Sequence, residues 1–270
     1  MPVQTRNTTV RNIAISWGIE AMKTVLGYED VRNEIIKHYI PQIENPEMMR
    51  TFDAFQQYNI PPFNEKEMEI TKYCKNIIKD DSITGIIVMT ASNIQESSDD
   101  MLTHYQGFII NKRTKHVYVI DPASKDNGNG IYEAAVAKKV ILPIFKLNGY
   151  TCEFVPLSNP AQTNKGDVFC QTWTVIILLK ALYTFNKHNK IDIIDIPSPK
   201  PKINKYKLLI DFYKDILIKI PKVSSELKNE YLELINLNKT NISEFCSLSK
   251  MQEINVTDLF LSMTPEELME

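Results

Sequence analysis

Glycine is scarce in this chain, 8 among 270 residues, and none falls in a Gly-x-Gly-x-x-Gly or a Gly-x-x-x-x-Gly-Lys-Ser/Thr pattern. The backbone loops that cradle phosphates depend on such glycines, so nucleotide chemistry drops out. Cysteine is sparser still: Cys74, Cys152, Cys170 and Cys246 stand apart with no Cys-x-x-Cys pair. That excludes a zinc knuckle and a disulfide framework, and each thiol has to be explained singly. Neither sign of charge dominates, 31 Lys+Arg standing against 33 Asp+Glu, so nucleic acid is not indicated as a partner. No run of 18 apolar residues occurs, which leaves no membrane-spanning helix. The first ten residues are polar, without a basic lead and an apolar core, so the chain is expected to be soluble and intracellular. No repeat with a period of 20 to 50 residues is visible, which removes solenoids and propellers.

What is present is the composition of a folded protein, 43% hydrophobic and 24% charged. From Asn12 to about Ile78 the apolar residues recur at mixed three- and four-residue steps (Ile13, Trp17, Met22, Val25), with breaks near Pro41, Pro46 and Pro61-Pro62, and a helical region over 1–80 is expected. At Ser82 the text changes to short β-branched runs, beginning with Ile83 to Met89. His104–Ile110 and His116–Asp121 read as two strands of a hairpin around the polar Asn111–Lys115. Pro122–Gly130 is a loop dense in turn residues, Ile131–Leu147 an amphipathic helix kinked or ended near Pro143, and Tyr150–Leu157 a further strand. From Asp167 or Val168 the chain is apolar nearly all round, which predicts a helix buried in the middle of the domain with Cys170 in its first turn. Pro197–Lys202 is a stiff connector, and Lys205–Ile220, Glu226–Leu237 and the remainder to Glu270 read as helices. The expected architecture is α+β: a small central mixed sheet packed on a buried helix in a core over 81–200, with helical regions over 1–80 and 201–270.

The hairpin supplies a geometric test. Folded symmetrically about the Lys112–Arg113 bond, it pairs Ile110 with Lys115, Phe108 with Val117 and His104 with Asp121. Cross-strand partners share a face with Cβ atoms about 5 Å apart, so an imidazole stands opposite a carboxylate that would fix its tautomer and leave the other nitrogen as a base. Phe108, Val117 and Val119 on that face are expected to dock the hairpin on the helix that starts near Cys170. A thiol in a helix's first turn sits among unpaired N–H groups at the positive dipole end, which favours an anion. Cys170, His104 and Asp121 therefore have the residue types of a nucleophile, a base and an orienting acid. For the oxyanion, the Gln162 side-chain amide and the Cys170 backbone N–H are candidate donors, with Asn164 and Gln171 as competitors.

The order of these residues, with Asp121 17 positions after His104 and Cys170 49 after Asp121, resembles the cysteine proteases related to adenain and to the ubiquitin-like-protein-specific (SUMO) proteases. The likeness covers roughly Ser82 to Leu182. Three features depart from the family pattern: Tyr105 follows the His where Trp is usual, Phe169-Cys170-Gln171 stands in place of Asp-Cys-Gly, and Gln162 lies about two residues farther from the Cys. The resemblance implies a papain-related fold and a cysteine endopeptidase with His104 as base, Asp121 as acid, Cys170 as nucleophile and Gln162 as oxyanion donor, and no cofactor or metal. It implies a protein substrate cut after small residues such as Gly, either a viral precursor or a ubiquitin-like conjugate. The Lys-, Ile- and Asn-rich composition suits an AT-rich viral genome, so a divergent viral member acting in host cytoplasm or virion is expected.

Two other functions fit the same residues. Effector acetyltransferases use a similar His, acid and Cys order with coenzyme A, and a non-catalytic binding or structural protein would carry Cys170 as core filler, the usual fate of a lone Cys on an apolar helix. His38, His116 and His188 read as surface or filling residues, Cys74, Cys152 and Cys246 as inert packing thiols, and Thr264-Pro-Glu-Glu as a capped helix start.

Overall fold

The computed structural model describes residues 3–41, 50–60, 65–81, 85–95, 101–126, 129–130, 141–163, 167–188, 190–198, 200–239 and 248–269. Contacts group the chain into two compact units, one formed by 1–38 with 200–270 and the other by 39–199. Residues 1–38 of the amino-terminal flank and the carboxy-terminal flank, separate in the sequence division, thus belong to one unit, and 39–80 belongs with the core.

In that first unit α1 (Val3–Gly27) and α2 (Glu29–Tyr39) are followed, after the second unit, by α6 (Lys202–Lys219), α7 (Pro221–Leu237), α8 (Leu248–Glu253) and α9 (Val256–Ser262), with a 3-10 turn at Glu266–Leu268. α1 packs on α7, and α9 packs against α1, α6 and α7. A Cβ at Gly18 of α1 would meet Phe260 Cε2 at 3.0 Å, so the absence of a side chain lets α9 approach. Helix ends are closed by side chains. Buried Arg32 donates from Nη1 to the Leu26 carbonyl at 3.0 Å and to that of Gly27, and Asn255 accepts the Thr257 and Asp258 N–H groups at the start of α9. The capping pattern at Thr264 leads into the 3-10 turn, the Glu267 carboxylate accepting the Thr264 N–H at 2.9 Å while pairing with Arg11 at 2.8 Å.

The second unit is built on a five-stranded mixed sheet. Its strands in chain order are β1 (Arg50–Ile60), β2 (Gly85–Gln95), β3 (Met101–Asn111), β4 (His116–Ile120) and, after a two-stranded ribbon of β5 (Ser124–Asp126) and β6 (Asn129–Gly130), β7 (Thr151–Phe154). The sheet order is β1-β2-β3-β4-β7, with β1 parallel to β2, β7 parallel to β4 and the central pairs antiparallel. α3 (Glu65–Lys79), α4 (Leu142–Leu147) and α5 (Cys170–His188) complete the unit.

Several expectations need correction. Residues 50–60, read as part of a helical region, form β1. Phe52, Phe55 and Tyr58 recur every third residue as in a helix, but the strand shifts register between Phe52 and Phe55 and again between Phe55 and Tyr58, setting three residues against two of β2. The loop over Pro122–Gly130 contains the β5–β6 ribbon. Of the helix read over 131–147, residues 131–140 lie outside the described ones, and Pro143 stands in the first turn of α4, where its missing N–H leaves no helical bond unmade.

The β3–β4 hairpin is present, but its register is displaced by two. Asn111 pairs with His116, Ile110 with Val117 and Phe108 with Val119. The loop is four residues long because Asn111 Oδ1 accepts the Thr114 N–H at 3.1 Å and Lys115 takes a left-handed conformation, φ 49°. A slip of two keeps every side chain on its face. The packing of those faces differs from the expected one: Phe108, Ile110, Val117 and Val119 join an apolar cluster with Cys74, Ile77, Phe145 and Tyr150, not with the start of α5. Alternation turns Gly107 to the opposite face, and there α5 comes so close that a Cβ at 107 would meet Thr174 Cγ2 at 3.1 Å. Thr174 Oγ1 shares its hydrogen between the Cys170 carbonyl at 2.9 Å and the Tyr105 carbonyl at 3.2 Å, which brings the first turns of α5 against β3.

Candidate active site

α5 is buried along most of its length, from Cys170 to Leu182, and Thr174 in its second turn lies 3.2 Å from the Tyr105 carbonyl beside His104, which sets the N-terminus of the helix at the start of β3. His104 lies near the start of β3 and Asp121 just past the end of β4. In the observed register Asp121 is not directly opposite His104 but diagonal to it, and the contact survives because diagonal neighbours share a face. The imidazole Nε2 stands 2.9 Å from Asp121 Oδ1. An ionised carboxylate only accepts, so Nε2 carries the proton in this contact.

The carboxylate has two further donors. The Ala123 N–H reaches Oδ1 at 2.9 Å, and Gln106 Nε2, two residues along β3 from His104, donates to Oδ2 at 2.8 Å. His104, Gln106 and Asp121 are 2, 2 and 3% exposed. A buried anion of this kind is tolerable only when its lone pairs are met. Gln106 was not picked out by the sequence, where it reads as one polar residue in a strand; the signal was its place at two positions from His104, on the same face.

Cys170 is the first residue of α5 and is 5% exposed. It interacts with His104: burial alone would pull the imidazole down, but hydrogen bonds to Asp121 and Cys170, together with their charges, outweigh this and raise it from 6.5 to about 9. The three groups first picked out by residue type are thus brought together in one buried cluster.

Gln162 is also placed there, 3% exposed. Its backbone N–H donates to the Pro122 carbonyl at 2.8 Å, next to Asp121, and its side-chain Nε2 donates to the Asp167 carbonyl at 2.6 Å. That bond fixes which end of the amide faces the loop, and an amide nitrogen has a second hydrogen to give. Asp167, a second residue the sequence reading passed over, is 1% exposed and organises this corner. Its carboxylate accepts the Phe169 N–H at 3.1 Å and the Trp173 Nε1–H at 3.3 Å, tying the loop to the first turn of α5. In sequence it looks like any acid in a polar loop. Of the competing donors, Gln171 is buried in the second position of α5, and Asn164 lies outside the described residues.

Of the remaining thiols, Cys74 sits in the apolar cluster, and burial pushes its thiol up to about 12, that of an inert packing residue. Cys152 is half-buried in β7, its thiol also raised by burial. Cys246 lies outside the described residues. Among the described residues no group of three or more His, Cys, Asp or Glu is placed to hold a metal ion, and no helix is long and apolar enough to cross a membrane.

No protein-family model and no curated protein matches the chain. Among solved structures, the effector protein RavZ of Legionella pneumophila aligns over 82% of this chain and 81% of its own at 10% identity, with a TM-score of 0.39. The SUMO protease Ulp1 aligns over 72% of this chain and 88% of its own at 15% identity, with a TM-score of 0.34. A RavZ structure in complex with human LC3B aligns over 54% of this chain at 10% identity and a TM-score of 0.33. In that alignment and in another with RavZ, the chain spans 42% and 45% of the solved chain. The chemistry of the site therefore rests on its own residues.

Proposed function

We propose that the chain is a cysteine peptidase with Cys170 as its nucleophile. The observation that carries this reading is the buried imidazole of His104, held by the Asp121 carboxylate at 2.9 Å and interacting with Cys170. A nucleophile, a base and a group that orients the base are the minimum set for acyl transfer through a covalent intermediate.

In the reaction the proton shared by Cys170 and His104 rests on the imidazole, and Sγ attacks the carbonyl carbon of the scissile peptide. The imidazolium returns that proton to the leaving amine as the C–N bond breaks, which leaves a thioester on Cys170. His104 then takes a proton from water, hydroxide adds to the thioester, and the acid product and free thiol are released. Asp121 remains ionised and holds the ring. The second hydrogen of Gln162 Nε2 and the Cys170 backbone N–H are assigned to the oxyanion, a donor there contributing on the order of 3 kcal/mol.

The family resemblance of the sequence adds the finer reading, cleavage after a small residue such as Gly in a viral precursor protein, with a ubiquitin-like carboxyl terminus as the other acceptor. The catalytic core of this reading spans 81–200. The test is incubation with precursor proteins and with ubiquitin-like fusions, determining the new amino termini. Cleavage after Gly that disappears in a folded Cys170→Ala variant is the expected result. Cleavage that persists in that variant overturns the mechanism, and acetyl transfer from coenzyme A to Cys170 in place of hydrolysis would change the reaction class.

A further inference from the structure

We infer that Gln106 is the positioning residue of this site: it holds Asp121 so that one carboxylate oxygen, and only one, is presented to His104. The inference rests on the reading of the site as a peptidase centre. Asp121 Oδ2 takes the Gln106 amide at 2.8 Å, and Oδ1 takes both His104 Nε2 and the Ala123 N–H at 2.9 Å. The two oxygens are thereby made unequal. Without the amide, the carboxylate is free to rotate about its Cβ–Cγ bond in a pocket where it is 3% exposed, and a buried oxygen loses its donor.

Gln106 is also suited to this task by what it lacks. It is the same length as Glu but carries no charge, so it gives a donor to the anion and adds nothing that competes with Asp121 for the imidazole. Its place is fixed by the backbone, since it pairs with Thr90 inside the β2–β3 ladder and shares a face with His104. The strand that supplies the base thus also supplies the clamp for the acid. Among the described residues, the titratable groups acting on the His104 ring are Asp121 from the end of β4 and Cys170 from α5; from its own strand it is faced by the neutral Gln106.

The experiment compares wild type, Gln106→Leu and Gln106→Glu by NMR titration of the His104 ring and by kcat and KM. The ring titration is read without turnover, so it tests the clamp even if the peptidase reading is wrong, and loss of Cys170-dependent turnover in wild type would be seen separately. In Gln106→Leu we expect the ring to titrate lower than in wild type and kcat to fall on the order of 10-fold with KM nearly unchanged, the size expected for a buried acceptor left without its donor. Gln106→Glu keeps the shape of the residue. Protonated, it donates to Asp121 and restores the clamp; ionised, it faces a like charge. Its kcat should therefore approach wild type at acid pH and drop as pH rises, a limb that neither other protein shows. An unchanged ring titration in a folded Gln106→Leu, or a Gln106→Glu that tracks Gln106→Leu at every pH, overturns the inference.

Discussion

The two units of this chain treat buried polarity differently. In the helical unit of 1–38 and 200–270, Arg32 and Lys205 are the buried polar side chains among the described residues, and Arg32 serves to close the carbonyl end of α1. In the sheet unit the buried polar residues His104, Gln106, Asp121, Gln162, Asp167, Gln171, Thr172 and Thr174 gather around the first turns of one helix. A polar group taken out of water must recover its hydrogen bonds from the protein, and apolar residues of the same shape would fill the space without that demand. Polar burial that does more than close a helix end marks the place where a protein departs from the most stable filling of its core. Here that place holds a thiol, an imidazole and a carboxylate in contact.

The contrast can be broken in order of expected effect. Cys170→Ala should lower turnover by at least roughly 10³-fold, as removal of a nucleophile does, while circular dichroism shows the fold retained; a smaller loss, read by a peptide cleavage assay, puts the chemistry elsewhere. Asp121→Asn should lower kcat by roughly 10² to 10⁴-fold, because the amide no longer fixes the tautomer. The same variant tests the electrostatics. Asp121 and Cys170 push His104 up from 6.5 to about 9, so the stability it contributes is fully present below pH 6.5 and is lost as pH rises to about 9. Urea titrations across that range should show wild type losing stability and Asp121→Asn losing less; equal slopes would mean that Asp121 does not hold the imidazolium.

Arg32→Met in the other unit should do the reverse. It strips the Leu26 and Gly27 carbonyls of a buried donor and should destabilise by about 1–3 kcal/mol, with kcat unchanged below the melting transition. A fall in kcat to match would blur the division between the units. The smallest effect is expected at Gly107, where Ala would bring Cβ to 3.1 Å from Thr174 Cγ2. Thr174 bonds to the Tyr105 carbonyl beside His104, so a shift of a few tenths of an ångström between β3 and α5 should reduce kcat by roughly a few fold and stability by about 1 kcal/mol. No change in either would show that the close approach does not set the spacing of Cys170 and His104.

The hairpin and the buried helix were legible because their signals are local. Alternation marks β3 and β4, and an all-round apolar run marks α5. The register was not legible to better than two residues, since a period of two is blind to a slip of two, and only the four-residue turn closed by Asn111 and Lys115 decides it. The strand at 50–60 was hidden because its aromatic spacing of three is the helical one and becomes a strand only through the shifts that match it to β2. Within the site, Cys170, His104 and Asp121 stood out by chemical type. Gln106 and Asp167 did not, since an amide in a strand and an acid in a loop acquire their meaning from the carboxylate and the indole they face.

The central claim is that the sulfur of Cys170 is the reacting atom and that His104 and Asp121 prepare it. It is tested most directly with a short peptide ending in Gly whose carboxyl group is replaced by a vinyl sulfone, which a thiol adds to irreversibly, followed by peptide mapping of the labelled chain. The account predicts one adduct, on Cys170, that forms much more slowly in His104→Ala and leaves buried Cys74 unlabelled. Label distributed over the cysteines, or at Cys170 at the same rate without the imidazole, would contradict it.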